Sequence, residues 1–330
     1  MPDPVGRKTR ELRTEHTANG EEITLPLGTV LGARDGPTVA ITSGMHAGEC
    51  QGVYAAVRLF RELDPAHVAG TVLVVPVIST RAFFMRSIQL SPVDEKEMHY
   101  QVPGNPRGTY SEQQIDLLYR LMRGAEYVID MHAGELVQEL TPWVAVPVTG
   151  DPALDRRSSL LARAFEVPFL DFRADRALVP AFAAFLADHG IANVWTEIGR
   201  NGLPEPETIR LQYEGCLNAL RWLGMVPGEP VRHRHRYLQQ RHHTVVSERS
   251  GVWWPAVRAG QTVREGDCLG TLSDLFGEPL EEYRAPFDGV VLYVWTNPAI
   301  NAERRPHGYN WHSGLVRLAG PLADEPNVAL

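Results

Sequence analysis

Two near-continuous apolar runs, each delivering a histidine at its end, restrict this chain more than any other feature. Val39-Ala40-Ile41-Thr42 leads into Gly44-Met45-His46-Ala47-Gly48-Glu49, and Val128-Ile129-Asp130-Met131 leads into His132-Ala133-Gly134. A strand that is apolar on both sides must be covered on both faces, as in the middle of a parallel sheet with helices above and below it. In such sheets functional groups collect beyond the carboxyl ends of the strands. His46, Glu49 and His132 all stand at such ends.

The rest of the chain to about residue 230 alternates in the same sense. After Glu49 the period changes, with Val53, Ala56, Val57, Phe60 and Leu63 on one helical face and Asp64-Pro65 as the stop. Strand patterns recur at 71–77, 127–131, 142–147 and 192–197, and helical patterns at 111–122, 158–165, 181–190 and 206–223. This alternation predicts an α/β fold with a mostly parallel sheet and right-handed crossovers. Residues 23–31 read as a strand that Pro26 favours at an edge, and the first 17 residues as loose or edge-bound. The stretch 79–110 has poor periodicity with several prolines and glycines, the texture of an active-site loop.

Pro227-Gly228-Glu229-Pro230 interrupts this pattern. The basic clusters Arg232-His233-Arg234-His235-Arg236 and Arg241-His242-His243 then read as a solvated linker and edge strand rather than a nucleic-acid or metal-binding face. Beyond Val245 short β runs are punctuated by glycines, and Gly251-Val252-Trp253-Trp254-Pro255-Ala256-Val257 has a counterpart in Gly289-Val290-Val291-Leu292-Tyr293-Val294. A small all-β barrel or sandwich is expected there, ending in a tail from Pro321. Two domains follow: 1–230 catalytic, and 231–330 linker strand plus β-barrel.

A net charge of -8 disfavours nucleic acid and anionic membrane surfaces, leaving a small-molecule substrate. Cys50, Cys216 and Cys268 are too few and too dispersed for a disulfide framework or a cysteine-ligated zinc. No apolar run is long enough to span a bilayer, and the charged N-terminus is not followed by the apolar segment of a secretory signal, so a cytoplasmic enzyme is expected. A homo-oligomer, dimer or larger, stays open.

Two imidazoles and a carboxylate are a common zinc set that leaves a fourth position for water. His46, Glu49 and His132 are therefore the candidate ligands of one zinc per chain, with manganese and iron as alternatives. Asp130, on the same side of its strand as His132, is placed to orient an imidazole or to floor the site. Glu197 ends another buried-looking strand and is the candidate base. The plainer readings are core histidines with satisfied partners and a structural Glu197 paired with Arg200 or Arg210.

Gly-x-His-x-Gly-Glu at 44–49, Asp-Met-His-Ala-Gly at 130–134 and Thr-Glu-Ile-Gly-Arg-Asn-Gly at 196–202 resemble the succinylglutamate desuccinylase/aspartoacylase family, relatives of the zinc carboxypeptidases. The resemblance covers nearly the whole chain. It implies a carboxypeptidase-type α/β/α sandwich, zinc on His46, Glu49 and His132, Glu197 as base, and hydrolysis of an N-acyl amino acid amide. Gly260, Gly266, Ala285-Pro286 and Asp288-Gly289 resemble the biotinyl/lipoyl-type barrel found in many members, although no lysine stands near the hairpin at 281–285. The chain departs from the family between Gln89 and Tyr100. Ser91-Pro92-Val93-Asp94 and Val102-Pro103-Gly104 hold the register, but the carbonyl-polarising arginine is Gln89 and the carboxylate-gripping Asn-Arg pair is His99-Tyr100. Loss of an oxyanion donor costs about 2.7–4 kcal/mol. Gln89, or Arg86 from three residues upstream, is the candidate replacement, while His99, Tyr100 and Arg200 are candidate substrate contacts. Histidine and tyrosine do not reproduce arginine's bidentate match to a carboxylate. The expected reaction is therefore zinc-dependent hydrolysis of a small N-acyl amine or amino-acid-derived amide without the usual free α-carboxylate. A metallocarboxypeptidase acting on a short peptide and a catalytically weakened metal-containing binding protein are the alternatives.

Overall fold

The computed structural model describes residues 6–302 and 314–323. β1 (Arg7–His16) and β2 (Glu22–Leu31) form an antiparallel hairpin at one edge. Next come β3 (Arg34–Ser43), α1 (Cys50–Glu62), β4 (Ala69–Val75), the short α2 (Thr80–Met85), α3 (Tyr110–Leu121) and β5 (Tyr127–His132). β6 (Gln138–Leu140), β7 (Trp143–Pro147), α4 (Pro152–Ala162), β8 (Phe169–Arg173), α5 (Ala181–Asp188), β9 (Ala192–Glu197) and α6 (Pro206–Trp222) complete the α/β portion. β4, β3, β5 and β9 lie side by side in parallel, and β7 joins β9 antiparallel before β8 resumes parallel pairing with β7.

Strand alternation builds the layers, because successive side chains leave opposite faces of a sheet. Val39, Ile41, Ile129, Met131 and Val194 pack into one core with α1, α4 and α6, through Ala55, Leu59, Leu161, Cys216 and Leu220. Ala40, Val128 and Val75 pack on the other side with α3 and α5, through Ile115, Leu118, Phe182 and Leu186. Each fully buried aliphatic side chain contributes roughly 1.5–3 kcal/mol. The result is a helix–sheet–helix sandwich around a large mixed sheet. In α1, Val57 lies on the exposed side and Leu59 on the buried one, so the apolar face is rotated from the expected one. Gly52 explains the shift: a Cβ there would stand 2.8 Å from Met131 Cβ, and this close approach sets which side of α1 meets the sheet.

The basic segment is a linker over residues 232–235, where Arg232 and Arg234 are exposed, but the strand that follows is not at an edge. β10 (Arg236–Val246) lies inside the large sheet, parallel to β8 on one side and antiparallel to β17 (Gly314–Ala323) on the other. Within it His242 is turned inward to meet Asp171 at 3.1 Å, while Arg241 and His243 are exposed and the Arg241 guanidinium lies 4.0 Å from the centroid of the Phe287 ring. The partner of His242 lies 71 residues away in sequence, which is why its burial is not legible from the cluster alone.

Beyond Val246 the structure is all-β. β11 (Gly251–Pro255), β13 (Cys268–Ser273), β14 (Pro279–Arg284) and β16 (Ala299–Ile300) form a four-stranded sheet. β12 (Thr262–Val263) and β15 (Gly289–Trp295) join β17 at the end of the large sheet, and β6 reaches across to pair with β15. The large sheet thus runs from the α/β portion into the C-terminal β portion. Of the expected tail, residues 321–323 belong to β17 and the remainder lies outside the described residues. Among the described residues no helix is long and apolar enough to cross a membrane.

Candidate active site

The polar residues at the carboxyl ends of β3, β5 and β9 converge. β3 gives way to a turn at Gly44 (φ 63°), and the following loop carries His46 to Glu49, the residue that precedes α1. His132 ends β5 directly across from Glu197 on β9. His46 Nδ1 lies 2.8 Å from Glu49 Oε1, and His132 Nδ1 lies 2.9 Å from Glu49 Oε2. One buried carboxylate therefore stands between two buried imidazoles, with a ligand atom of each of the three residues within 4.8 Å of the others.

The far nitrogens of both rings are anchored. His132 Nε2 sits 2.9 Å from Asp130 Oδ2, and Asp130 in turn accepts a 2.6 Å hydrogen bond from Thr42 Oγ1. His46 Nε2 sits 3.0 Å from Glu97 Oε1. A carboxylate behind an imidazole fixes its orientation and raises its basicity as a metal ligand. Asp130 was legible for this role from its position two residues before His132. Glu97 was not, because it lies 51 residues from His46 in a loop without periodicity. Replacing Glu97 with Gln is expected to weaken zinc affinity by about 10–100-fold, measured by competition with a chromophoric chelator, with little change in melting temperature of the metal-free chain. His46, Glu97 and His99 form a second, overlapping group of possible metal donors.

The charges are unbalanced in a way that favours a cation. Against burial, which lowers it, Glu49 and then Glu97 hold the His46 imidazole well above its ordinary pKa. His132 behaves likewise, with Asp130 and Glu49 overcoming burial. Burial pushes the Glu49 carboxyl up, but the two histidines bring it down to about 2. Three acids wrapped around two imidazoles draw positive charge into the pocket. Glu49 Oε2 is buried 2.9 Å from His132 Nδ1, so both oxygens of this carboxylate lie against imidazole nitrogens. Two imidazole nitrogens and a carboxylate oxygen in a closed, polar setting suit a zinc ion.

A cavity of about 350 Å³ opens beside this cluster. Glu197 lines it, and burial together with the Glu49 charge lifts the Glu197 carboxyl to about 7. Gln89, His99 and Tyr100 line it as well. Gln89 is held in a left-handed conformation (φ 56°), and its backbone N–H donates to Glu135 Oε1 at 3.0 Å. Glu135 is fully buried, with its carboxyl raised to about 7 by burial and by Glu49, and it packs against Gly48 so closely that any Cβ there would collide with its carboxylate. Two candidates fall elsewhere. Arg86 caps α2 on the exposed side and is absent from the cavity wall. Arg200 pairs with Glu205 at 3.0 Å and with Glu139 at 3.4 Å, and is likewise absent from that wall. In their place the fold brings Arg173, Tyr293 and Arg317 to the cavity. Arg173 ends a strand missing from the sequence-based expectation, Tyr293 lies in the β phrase at 289–294 without any sign that it would reach this cavity, and Arg317 comes from the C-terminal β portion.

The profile of the succinylglutamate desuccinylase/aspartoacylase catalytic domain matches residues 35–223, a span holding the His–Glu–His cluster and Glu197. The chain belongs to this family. An N-α-acetyl-L-2,4-diaminobutyric acid deacetylase from Halomonas elongata is 30% identical over 270 residues, covering 80% of this chain and 79% of that protein. Among solved structures, a succinylglutamate desuccinylase/aspartoacylase from Rhodobacter sphaeroides superposes with a TM-score of 0.82 at 26% identity, covering 98% of this chain and 97% of its own. The product-bound ectoine utilization protein EutE (DoeB) from Ruegeria pomeroyi shares the fold, with a TM-score of 0.81 at 22% identity over 97% of this chain and 99% of its own. Family membership and the buried cluster of possible metal donors make the chain a zinc-dependent hydrolase of amide bonds.

Proposed function

We propose that this enzyme removes the acyl group from a small N-acyl amine or amino-acid-derived amide, with zinc held by His46, Glu49 and His132. The observation that carries this reading is the placement of Glu197 across from His132, beside the ligand cluster and at the wall of a cavity of about 350 Å³. That space suits a small molecule rather than a long peptide. When bound, zinc would polarise the amide carbonyl and acidify an attacking water. Glu197 takes the proton of that water and returns it to the departing nitrogen, a task suited to a carboxyl raised towards neutrality. Asp130 and Glu97 keep the two imidazoles oriented throughout.

At the wall formed by Gln89, His99 and Tyr100 we propose that the substrate presents a neutral or amine-bearing group rather than the usual free α-carboxylate, since no arginine stands there. Gln89 Oε1 is buried with no hydrogen-bond partner among the described residues, which favours a substrate N–H at that point. The Halomonas relative, whose named substrate is an acetylated diamino acid, agrees with an amine-bearing substrate. We also propose the biotinyl/lipoyl-like assignment for the C-terminal β portion from residue 231.

The reading is tested with the zinc-loaded protein against a panel of N-acetyl and N-succinyl amines and amino acids, scoring free amine. Zinc-dependent amine release from small acylated amines is expected. Stoichiometric zinc without release from any member would favour a binding protein instead.

A further inference from the structure

One face of the C-terminal sheet is turned towards the catalytic cavity. Thr244 on β10, Arg317 on β17, Tyr293 on β15 and Leu140 on β6 are cross-strand neighbours in a single row, and all four line the cavity. The residues flanking Arg317, Val316 and Leu318, are buried in the core on the opposite face. Alternation thus sends one charged side chain of β17 into the space beside Glu197. There it meets a second cation, Arg173, whose guanidinium lies 4.9 Å from the centroid of the Trp195 ring.

The two arginines differ in their partners. Arg173 is buried and neutralised by Asp171, with Nε 2.7 Å from Oδ2, and Asp171 is shared with His242 at 3.1 Å. Arg317 has no carboxylate within ion-pair distance among the described residues, and its Nε is buried without a hydrogen-bond partner. The acids on this wall are Asp171, committed to Arg173 and His242, and Glu197, whose carboxyl is raised to about 7, so Arg317 keeps a guanidinium without an ion-pair partner among the described residues. A buried donor without a partner costs about 1–3 kcal/mol, and more when charged, so a wall of this kind is stable chiefly as a receptor for an anion.

We infer that Arg317, beside Arg173, receives the carboxylate of the substrate, so that acid recognition has moved from the Gln89–Tyr100 loop to the C-terminal sheet. This rests on the deacylase reading above and narrows it: the substrate is an N-acyl amino acid whose carboxylate docks at Arg317 while its neutral or amine-bearing part faces Gln89 and His99. A planar guanidinium offers parallel N–H donors to both carboxylate oxygens, which an uncharged carboxamide cannot match. The C-terminal β portion is then part of the substrate site.

The test compares N-acetyl amino acids with their α-carboxamides on the zinc-loaded full chain and on Arg317→Gln and Arg317→Lys, with melting curves to establish that the variants fold. The wild type is expected to prefer the acids. Arg317→Gln is expected to raise KM for the acids by about 10–100-fold with little effect on kcat, leave the carboxamides within about twofold, and be partly rescued by Arg317→Lys. Equal loss on acids and carboxamides, or no wild-type preference, overturns the inference. Binding is read separately by titrating the acids into Glu197→Gln with and without Arg317→Gln. Affinity that depends on Arg317 without cleavage by the wild type would sustain the anion site while removing the deacylase reading. Cleavage that ignores Arg317 would do the reverse.

Discussion

Glu197→Gln is expected to lower kcat by about 10²–10⁴-fold while the protein keeps one zinc per chain and binds substrate with little change in Kd. The amide keeps the size and hydrogen-bonding reach of the carboxylate but cannot carry the proton between water and leaving nitrogen. Single-turnover rates and metal analysis on the same preparation check this; a variant that loses zinc along with activity would show Glu197 to be structural. The pH profile carries a linked expectation. Burial and Glu49 lift the Glu197 carboxyl to about 7 in the metal-free chain, and a divalent cation nearby favours the ionised form. As base the residue works deprotonated, so kcat/KM falls as pH drops through its pKa. With zinc bound that acid limb lies below 7, and it disappears in Glu197→Gln.

The second large effect is expected at Glu49. This carboxylate separates the two Nδ1 atoms, at 2.8 Å and 2.9 Å, and is the negative charge common to both histidines. Glu49→Ala should leave zinc well below one per chain at concentrations that saturate the wild type, and abolish amine release. Zinc binding also stabilises the folded state by mass action, about 2.7 kcal/mol when free metal is 100 times Kd. The wild type should therefore melt higher with zinc than after chelation, and Glu49→Ala should show no such difference. A variant that kept the zinc-dependent rise in Tm would place the ion on other ligands, with the overlapping His46–Glu97–His99 group the first to consider.

Glu97 and Glu135 illustrate a kind of residue that sequence reading passes over. Both are acids in aperiodic loops, where a solvated side chain is the ordinary expectation. Yet Glu97 is 5% exposed behind His46, and Glu135 is fully buried beneath Gln89 and Gly48. Their burial follows from the path of the loops over the ends of β3 and β5, and short-range spacing does not encode that path. Arg200 shows the converse, a residue near the site in sequence that the fold places away from the cavity wall. It sits three residues from Glu197 in sequence, but the chain turns away after β9, and the side chain is satisfied by Glu205 and Glu139 on the exposed side.

What the sequence determined by itself was the gathering of polar groups at the strand ends. Apolar runs demand a sheet covered on both faces, and a residue at or just beyond the end of such a run emerges at that edge, so the meeting of His46, Glu49, His132, Asp130 and Glu197 was legible from local pattern, while their roles came with the family resemblance. What only the tertiary structure decided was the opposite wall of the cavity. Residues 89–100 alone point to a substrate without a free carboxylate, because that stretch contains no arginine. The sheet continues through β10 into β17, and the pleat of β17 turns Arg317 inward beside Arg173. Strand order and register join residues far apart along the chain, and no pattern of period two or 3.6 records which distant strand will lie alongside.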